Sequence, residues 1–235
     1  MAVLDVNGLT MSYADKKLYD QASFQLERGE HMGIVGENGA GKSTLIKILI
    51  GQVLPVSGKI SWQKNLKIGY LDQYVDIEAG MTLIEFLQTA FQDLYAKNDQ
   101  MNQLYADYAE KLDDQLLNKA GQLQADLDAH HFYEIDTQIE RVMTGLGLVE
   151  LGRDHIVAEM SGGQRSKIIL AKMLLEQPDV ILLDEPTNYL DTAHIEWLID
   201  YLNDFDGAAM IISHDYDFLE RVTNTICDVA FGKIT

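Results

Sequence analysis

His31-Met32-Gly33-Ile34-Val35-Gly36-Glu37-Asn38-Gly39-Ala40-Gly41-Lys42-Ser43-Thr44 joins a short apolar run to a glycine-rich turn, a lysine and two hydroxyl residues. The apolar run reads as a buried strand. The residues 45–50 read as the body of a helix, and Gly51 stops it. Residues 36–43 match the pattern G-x-x-x-x-G-K-[ST]. At average composition that pattern falls by chance in about 1% of chains of this length. The glycines let successive backbone N–H groups converge on phosphate oxygens, and the helix that follows points its positive end at them. Lys42 adds a point charge toward the β- and γ-phosphates, Ser43 is a candidate Mg²⁺ ligand, and Thr44 is placed for the α-phosphate. Gly36, Asn38, Gly39, Gly41, Lys42, Ser43 and Thr44 are therefore the candidate nucleotide-binding positions.

Working outward, Val180-Ile181-Leu182-Leu183-Asp184-Glu185 is a second buried run, ending in two carboxylates. The carboxyl ends of strands are where ligands sit in open α/β sheets. Asp184 is the candidate Mg²⁺ residue. Glu185 is the candidate that orients or deprotonates an attacking water. The alternative is a solvated strand end carrying two surface acids. On the N-terminal side, residues 3–6, 11–13 and 24–26 read as short strands, and 59–62 and 67–71 as a further pair. On the C-terminal side a helix from Ser161 to about 176, a helix over 193–203, and strands over 208–212 and 226–231 complete an α/β pattern with an antiparallel layer beside a parallel core.

The middle of the chain differs. Between Thr82 and Gly145 there is no proline and one glycine, Gly121. Thr82-Leu83-Ile84-Glu85 is a capping-box pattern. From there Ile84, Leu87, Phe91, Leu94, Asn98, Met101, Tyr105, Tyr108 and Leu112 fall at alternating steps of three and four, and only Asn98 is polar. That predicts one helix of nearly thirty residues with a coiled-coil seam. Asp113-Asp114 reads as a turn, and Leu116, Ala120, Leu123 and Leu127 as the stripe of a returning helix. The expectation is a projecting helical hairpin; a packed all-helical subdomain is the alternative.

The 235 residues suit one α/β domain with a modest insertion. Hydrophobic residues make up 47% of the chain, enough for a core. The 18 basic residues against 37 acidic ones give a net charge of −19, which argues against gripping nucleic acid by general electrostatics. Cys227 is the one cysteine, so no internal disulfide can form and a reducing, cytoplasmic setting is expected. Met1-Ala2-Val3-Leu4-Asp5 lacks a basic and apolar leader pattern, and no apolar run reaches the length of a membrane span, so no membrane insertion is expected.

Met160-Ser161-Gly162-Gly163-Gln164 resembles the signature sequence of ATP-binding cassette (ABC) proteins, and residues 36–43 and 180–185 resemble their Walker A and Walker B motifs. The resemblance implies a P-loop NTPase fold of the ABC cassette type. That fold has an antiparallel β subdomain, a RecA-like core and a helical subdomain. It would span 1–235 as one ATP-binding domain, with the helical subdomain at 74–160 and an arm-like hairpin at about 97–133. It further implies that Gln73 is the Q-loop residue sensing Mg²⁺ and γ-phosphate. Leu190-Asp191 would be the D-loop, His214 the switch histidine on the γ-phosphate, and Tyr13 the aromatic that stacks on adenine. Ser161, Gly162, Gly163 and Gln164 would serve a nucleotide held by a partner cassette.

Within that superfamily, Glu185-Pro186-Thr187-Asn188-Tyr189-Leu190-Asp191 and Ser213-His214-Asp215-Tyr216-Asp217-Phe218-Leu219 resemble the ABC-F group, soluble proteins with two cassettes in one polypeptide. Tyr189 stands where that group has histidine, and Met160 where leucine is usual. The 88-residue step from Gln73 to Ser161 looks long for a transporter cassette and matches the arm inserted in the first ABC-F cassette. The resemblance implies an ATPase using ATP and Mg²⁺, sandwiched with a second cassette of the same full-length chain or with a head-to-tail copy of this chain, and acting on the ribosome with tRNA or rRNA contact. It also implies that a linker and second cassette follow Thr235, so this chain alone would turn over slowly. Residues 97–133 carry three lysines, no arginine and seven acids, a poor phosphate-binding surface. The competing readings are the ATP-binding subunit of a membrane transporter and a mainly structural module.

Overall fold

The computed structural model describes residues 1–13, 16–71, 77–230 and 233–234, with Tyr13 as backbone alone. The chain divides into two compact units, Met1–Tyr74 with Gln177–Thr235, and Val75–Glu176.

In the first unit, β1 (Ala2–Tyr13) pairs antiparallel with β2 (Lys16–Glu27) on one edge and with β4 (Ser57–Trp62) on the other. The sequence suggests two short strands separated by a turn at Asn7-Gly8. Instead β1 runs on through these residues, and the pairing with β2 skips between Val6 and Leu9, so the dipeptide bulges rather than turns. A bulge preserves the inward set Val3, Leu4, Val6 and Leu9, all buried.

The second sheet has the order β5-β6-β7-β3-β8-β9, from β5 (Ile68–Tyr70), β6 (Val180–Asp184), β7 (Ala208–Ile212), β3 (His31–Val35), β8 (Thr225–Ala230) and β9 (Lys233–Ile234). The first five strands are parallel and β9 is antiparallel to β8. β7 is buried at every position, and β3 and β6 at all but their last residue. That is why these strands read as unbroken apolar runs rather than as alternation. Side chains such as Ile34, Leu182 and Ile211, each 0% exposed, contribute about 1.5–3 kcal/mol apiece by burial. The helices of this unit are α1 (Lys42–Leu49), α7 (Thr192–Asn203) and α8 (Tyr216–Val222). Asp191 caps α7 by accepting from the His194 amide, and Asp215 caps α8 by accepting from the Phe218 amide.

The second unit holds α2 (Leu83–Gln88), α3 (Gln92–Lys111), α4 (Asp114–Ala129), α5 (Ile135–Gly145) and α6 (Gly162–Leu175). The Thr82 capping box forms as expected, with both reciprocal bonds present. The single long helix does not. Thr89 turns its hydroxyl back on the Phe86 carbonyl at 2.6 Å, Phe91 leaves helical geometry at φ −113° to bury its ring, and α3 starts afresh at Gln92. The seam also rotates by one residue. Leu94, Met101 and Leu104 pack with Ala120, Leu123, Leu127 and Phe132, whereas Tyr105 and Leu112 are exposed. The α3–α4 turn falls at Leu112, in left-handed conformation, with Asp113 as the cap of α4. Lys97 Nζ and Asp126 Oδ2 join the two helices at 2.6 Å.

The unit does not end at 160. Helix α6 packs on α2 and α5, and backbone bonds from Leu83 and Ile84 to the carbonyls of His155 and Arg153 strap the start of α2 to the segment before the signature. Among the described residues no helix is long and apolar enough to cross a membrane.

Candidate nucleotide-binding site

The first unit brings most of the candidate residues together. Asn38, Gly39, Gly41, Lys42, Ser43 and Thr44 line a cavity of about 400 Å³, whose opposite wall is Asp184, Glu185 and His214. Gly36 stands outside it, lining a larger cavity of about 660 Å³ behind the loop. A Cβ on Gly36 would lie 2.3 Å from the Val229 carbonyl oxygen, so glycine there serves the approach of β8 to the loop.

The loop is shaped by the strand before it and the helix after it. Gly41, at φ 109°, is the N-cap of α1, and no side chain caps that helix. Its first-turn N–H groups are thus left for a ligand, and no acidic residue in the first turn opposes an anion. Lys42 is 7% exposed, with Nζ donating to the carbonyls of Gly36 at 2.8 Å and Glu37 at 3.2 Å. An ammonium has three donors, so one remains for a phosphate oxygen.

The opposite wall is set by sheet register. Asp184 pairs with Ile212 across β6 and β7, and the Glu185 amide donates to the Ile212 carbonyl at 2.9 Å. Glu185 itself takes a left-handed backbone conformation at φ 53°, a local cost characteristic of functional sites. Its Oε2 accepts from the His214 amide at 3.1 Å. Its Oε1 lies 3.3 Å from His214 Nε2, too poorly aligned for a hydrogen bond, and is a buried oxygen with no hydrogen-bond partner among the described residues. A buried carboxylate oxygen in that condition is costly without a donor, and a water between it and a phosphate would supply one.

Ser43 and Asp184 both border this cavity and a neighbouring one of about 560 Å³. Their hydroxyl and carboxylate oxygens suit Mg²⁺, which keeps several waters and takes phosphate oxygens beside one or two protein ligands. Among the described residues no cluster of three or more His, Cys, Asp and Glu could hold a metal alone, so the donor set fits a metal that arrives with phosphates.

Gln73 lies outside the described residues, and so does the side chain of Tyr13. Ser161, Gly162, Gly163 and Gln164 belong to the second unit, at the N-terminus of α6. There Ser161 Oγ accepts from the Gln164 amide at 3.3 Å and Gln164 Oε1 accepts from the Ser161 amide at 2.8 Å. A Cβ on Gly162 would meet nothing within 4 Å among the described residues outside its own helix, so their packing does not demand glycine there. Lys16 and Leu18, which also line the 400 Å³ cavity, were not among the candidates. Lys16 Nζ, at the start of β2, donates to the Gly39 carbonyl in the glycine-rich loop at 2.8 Å, a long-range contact that no spacing rule signals.

The ABC transporter family model matches residues 19–188. Among curated relatives, the uncharacterized ABC transporter ATP-binding protein YfmM of Bacillus subtilis is 43% identical over all of this chain, which spans 46% of that protein. ABC transporter F family member 5 of Arabidopsis thaliana is 34% identical over 97% of this chain and 34% of its own length. The energy-dependent translational throttle protein EttA of Escherichia coli is 36% identical over 87% of this chain and 37% of its own length. The chain thus spans less than half the length of each of these relatives. Among solved structures, an ATP-binding subunit of an ABC transporter matches with TM-score 0.71 over 99% of this chain and 88% of its own, at 22% identity, a likeness of fold alone. With the loop, the two carboxylates and the histidine gathered on one sheet, and with the family model covering most of the chain, this chain belongs to the ABC transporter family as an ATP-binding cassette.

Proposed function

We propose that this chain is the N-terminal cassette of an ABC-F type ATPase that works on the ribosome from the cytoplasm. The observation that carries the ATPase part is the single cavity joining the uncapped α1 N-terminus and Lys42 to Asp184, Glu185 and His214. In this reading the loop amides and Lys42 hold the β- and γ-phosphates. Ser43 and Asp184, with Gln73, would hold Mg²⁺, which would offset the charge of the phosphates. Glu185 Oε1 accepts a proton from the attacking water, His214 steadies the γ-phosphate oxygens, and Tyr13 stacks on adenine. Ser161, Gly162, Gly163 and Gln164 face the nucleotide of a second cassette, of the same full-length protein or of a second copy. The space over Gly162, open among the described residues, leaves room for the approach that assignment needs.

The ribosomal part rests on the relatives. One is named for throttling translation and another as an F family member, and the α3–α4 hairpin supplies an arm-like element. The acidic surface of that hairpin repels a phosphate backbone, so tRNA or rRNA contact by it needs local patches.

Ribosome co-sedimentation of the full-length protein carrying Glu185→Gln, with its counterpart changed in the second cassette, tests the reading. ATP-dependent pelleting is expected. Absence of pelleting, with the protein co-purifying with a membrane permease, would establish the transporter reading instead. Phosphate release by this chain alone should be slow and rise with protein concentration; a fast, concentration-independent rate would overturn the two-cassette requirement.

A further inference from the structure

We infer that Tyr19 is a positioning residue for the phosphate loop, acting through its hydroxyl on Gly41. Tyr19 lies on β2, is 0% exposed, and is among the largest fully buried side chains of the molecule. Its phenolic hydroxyl donates to the Gly41 carbonyl. That same carbonyl accepts the first bond of α1, from the Leu45 amide at 2.8 Å. Gly41 is the N-cap of α1 and the residue immediately before Lys42.

The geometry couples β2 to the anion-facing amides. A peptide unit is planar, so its C=O and the following N–H point in opposite directions. The Leu45 amide draws the Gly41 carbonyl along the axis of α1 and the Tyr19 hydroxyl adds a second donor to it, so the Lys42 amide on the other side of that peptide plane is held facing out of the helix end. Gly41 sits at φ 109°, and a Cβ there would come within 2.7 Å of the Tyr19 hydroxyl oxygen and 3.1 Å of Leu18 Cδ1. The tyrosine thus holds the loop by a hydrogen bond and also leaves room for nothing but glycine. A leucine or phenylalanine would fill this place in the apolar core as well, so the hydroxyl here serves a polar purpose.

The inference rests on the nucleotide reading proposed above, and the test separates the two. Wild type, Tyr19→Phe and Tyr19→Leu are titrated calorimetrically with Mg-ADP and with inorganic pyrophosphate, which probes the loop without the base. Each is also melted without nucleotide. Phenylalanine keeps the buried ring and leaves the Gly41 carbonyl its helical partner, so the nucleotide-free melting temperature should match wild type. Mg-ADP and pyrophosphate should both bind about three- to tenfold more weakly, the worth of one lost hydrogen bond. Tyr19→Leu should lose melting temperature as well, because the core is then underfilled. Unchanged binding by Tyr19→Phe would overturn the positioning role. So would a weakening matched by a fall in its nucleotide-free melting temperature, since the hydroxyl would then be serving the fold at large. If wild type binds neither probe, the nucleotide reading fails first and Tyr19 has nothing to position.

Discussion

β3, β6 and β7 bury nearly every side chain they carry, whereas α3 and α4, with more than twice their residues, bury Met101, Ala120 and Leu127. The strands are covered on both faces and locked by parallel register. The hairpin is held by a thin stripe and the Lys97–Asp126 pair. Stability is therefore unevenly spread, high where the carboxylates and the phosphate loop must stay in place and low in an element whose surface is almost all free to touch something else. A cassette that hydrolyses ATP needs the first kind of region, and one that reaches a distant partner needs the second.

The largest expected effect separates chemistry from that framework. Glu185→Gln should cut phosphate release by the full-length protein by about a hundredfold or more, with Mg-ATP affinity and melting temperature close to wild type. A comparable loss of melting temperature would show that the site and its frame are one thing. Next, Leu182→Ala should cost about 2–5 kcal/mol by opening a cavity in the sheet, seen as a lower denaturation midpoint for the whole first unit. Leu127→Ala, equally buried, should speed amide hydrogen exchange across α3 and α4 while leaving β3, β6 and β7 protected. If it deprotects those strands as Leu182→Ala does, the contrast drawn here is false. Thr82→Ala removes a formed capping box and should destabilise by about 1 kcal/mol, read as earlier exchange in α2.

The smallest effect is electrostatic. The hydrogen bond from Lys97 holds the Asp126 carboxyl below its ordinary value against the opposing effect of desolvation, with the charges of Lys97 and His130 adding to the lowering. A carboxylate depressed in the folded state stabilises the fold above its unfolded pKa, and that contribution disappears as pH falls through the folded value. Hairpin helicity should thus soften below about pH 4, measured by hydrogen exchange at acidic pH, and Lys97→Met should flatten that dependence.

How much was readable beforehand follows the same division. The strands β3, β6 and β7 were legible because burial on both faces writes itself as an unbroken apolar run. The loop and the Asp184-Glu185 pair were legible because phosphate chemistry demands those residue types at fixed spacing. The hairpin was legible as two helices but misread in detail. The break at Thr89–Phe91 depends on where the Phe91 ring finds cover, and the choice of Leu104 over Tyr105 depends on the facing helix. Helix α8 was missed although Asp215 caps it, since seven residues give a helical period too little length to show. Helix α5 was missed although its buried face, Ile135, Ile139, Val142 and Met143, is spaced as a helix should be.

The sequence by itself determined the chemistry on offer, a loop that can cradle phosphates, two carboxylates at a strand end and a capped glycine signature, because each of these is a local arrangement set by neighbouring residues. Only the tertiary structure decided that Glu185 Oε1 would be buried beside His214 without a hydrogen bond, and that Tyr19 from another sheet would reach the Gly41 carbonyl. Those facts depend on which strands lie side by side, and strand order comes from packing two faces of a sheet at once, a sum over the whole chain that no short window contains.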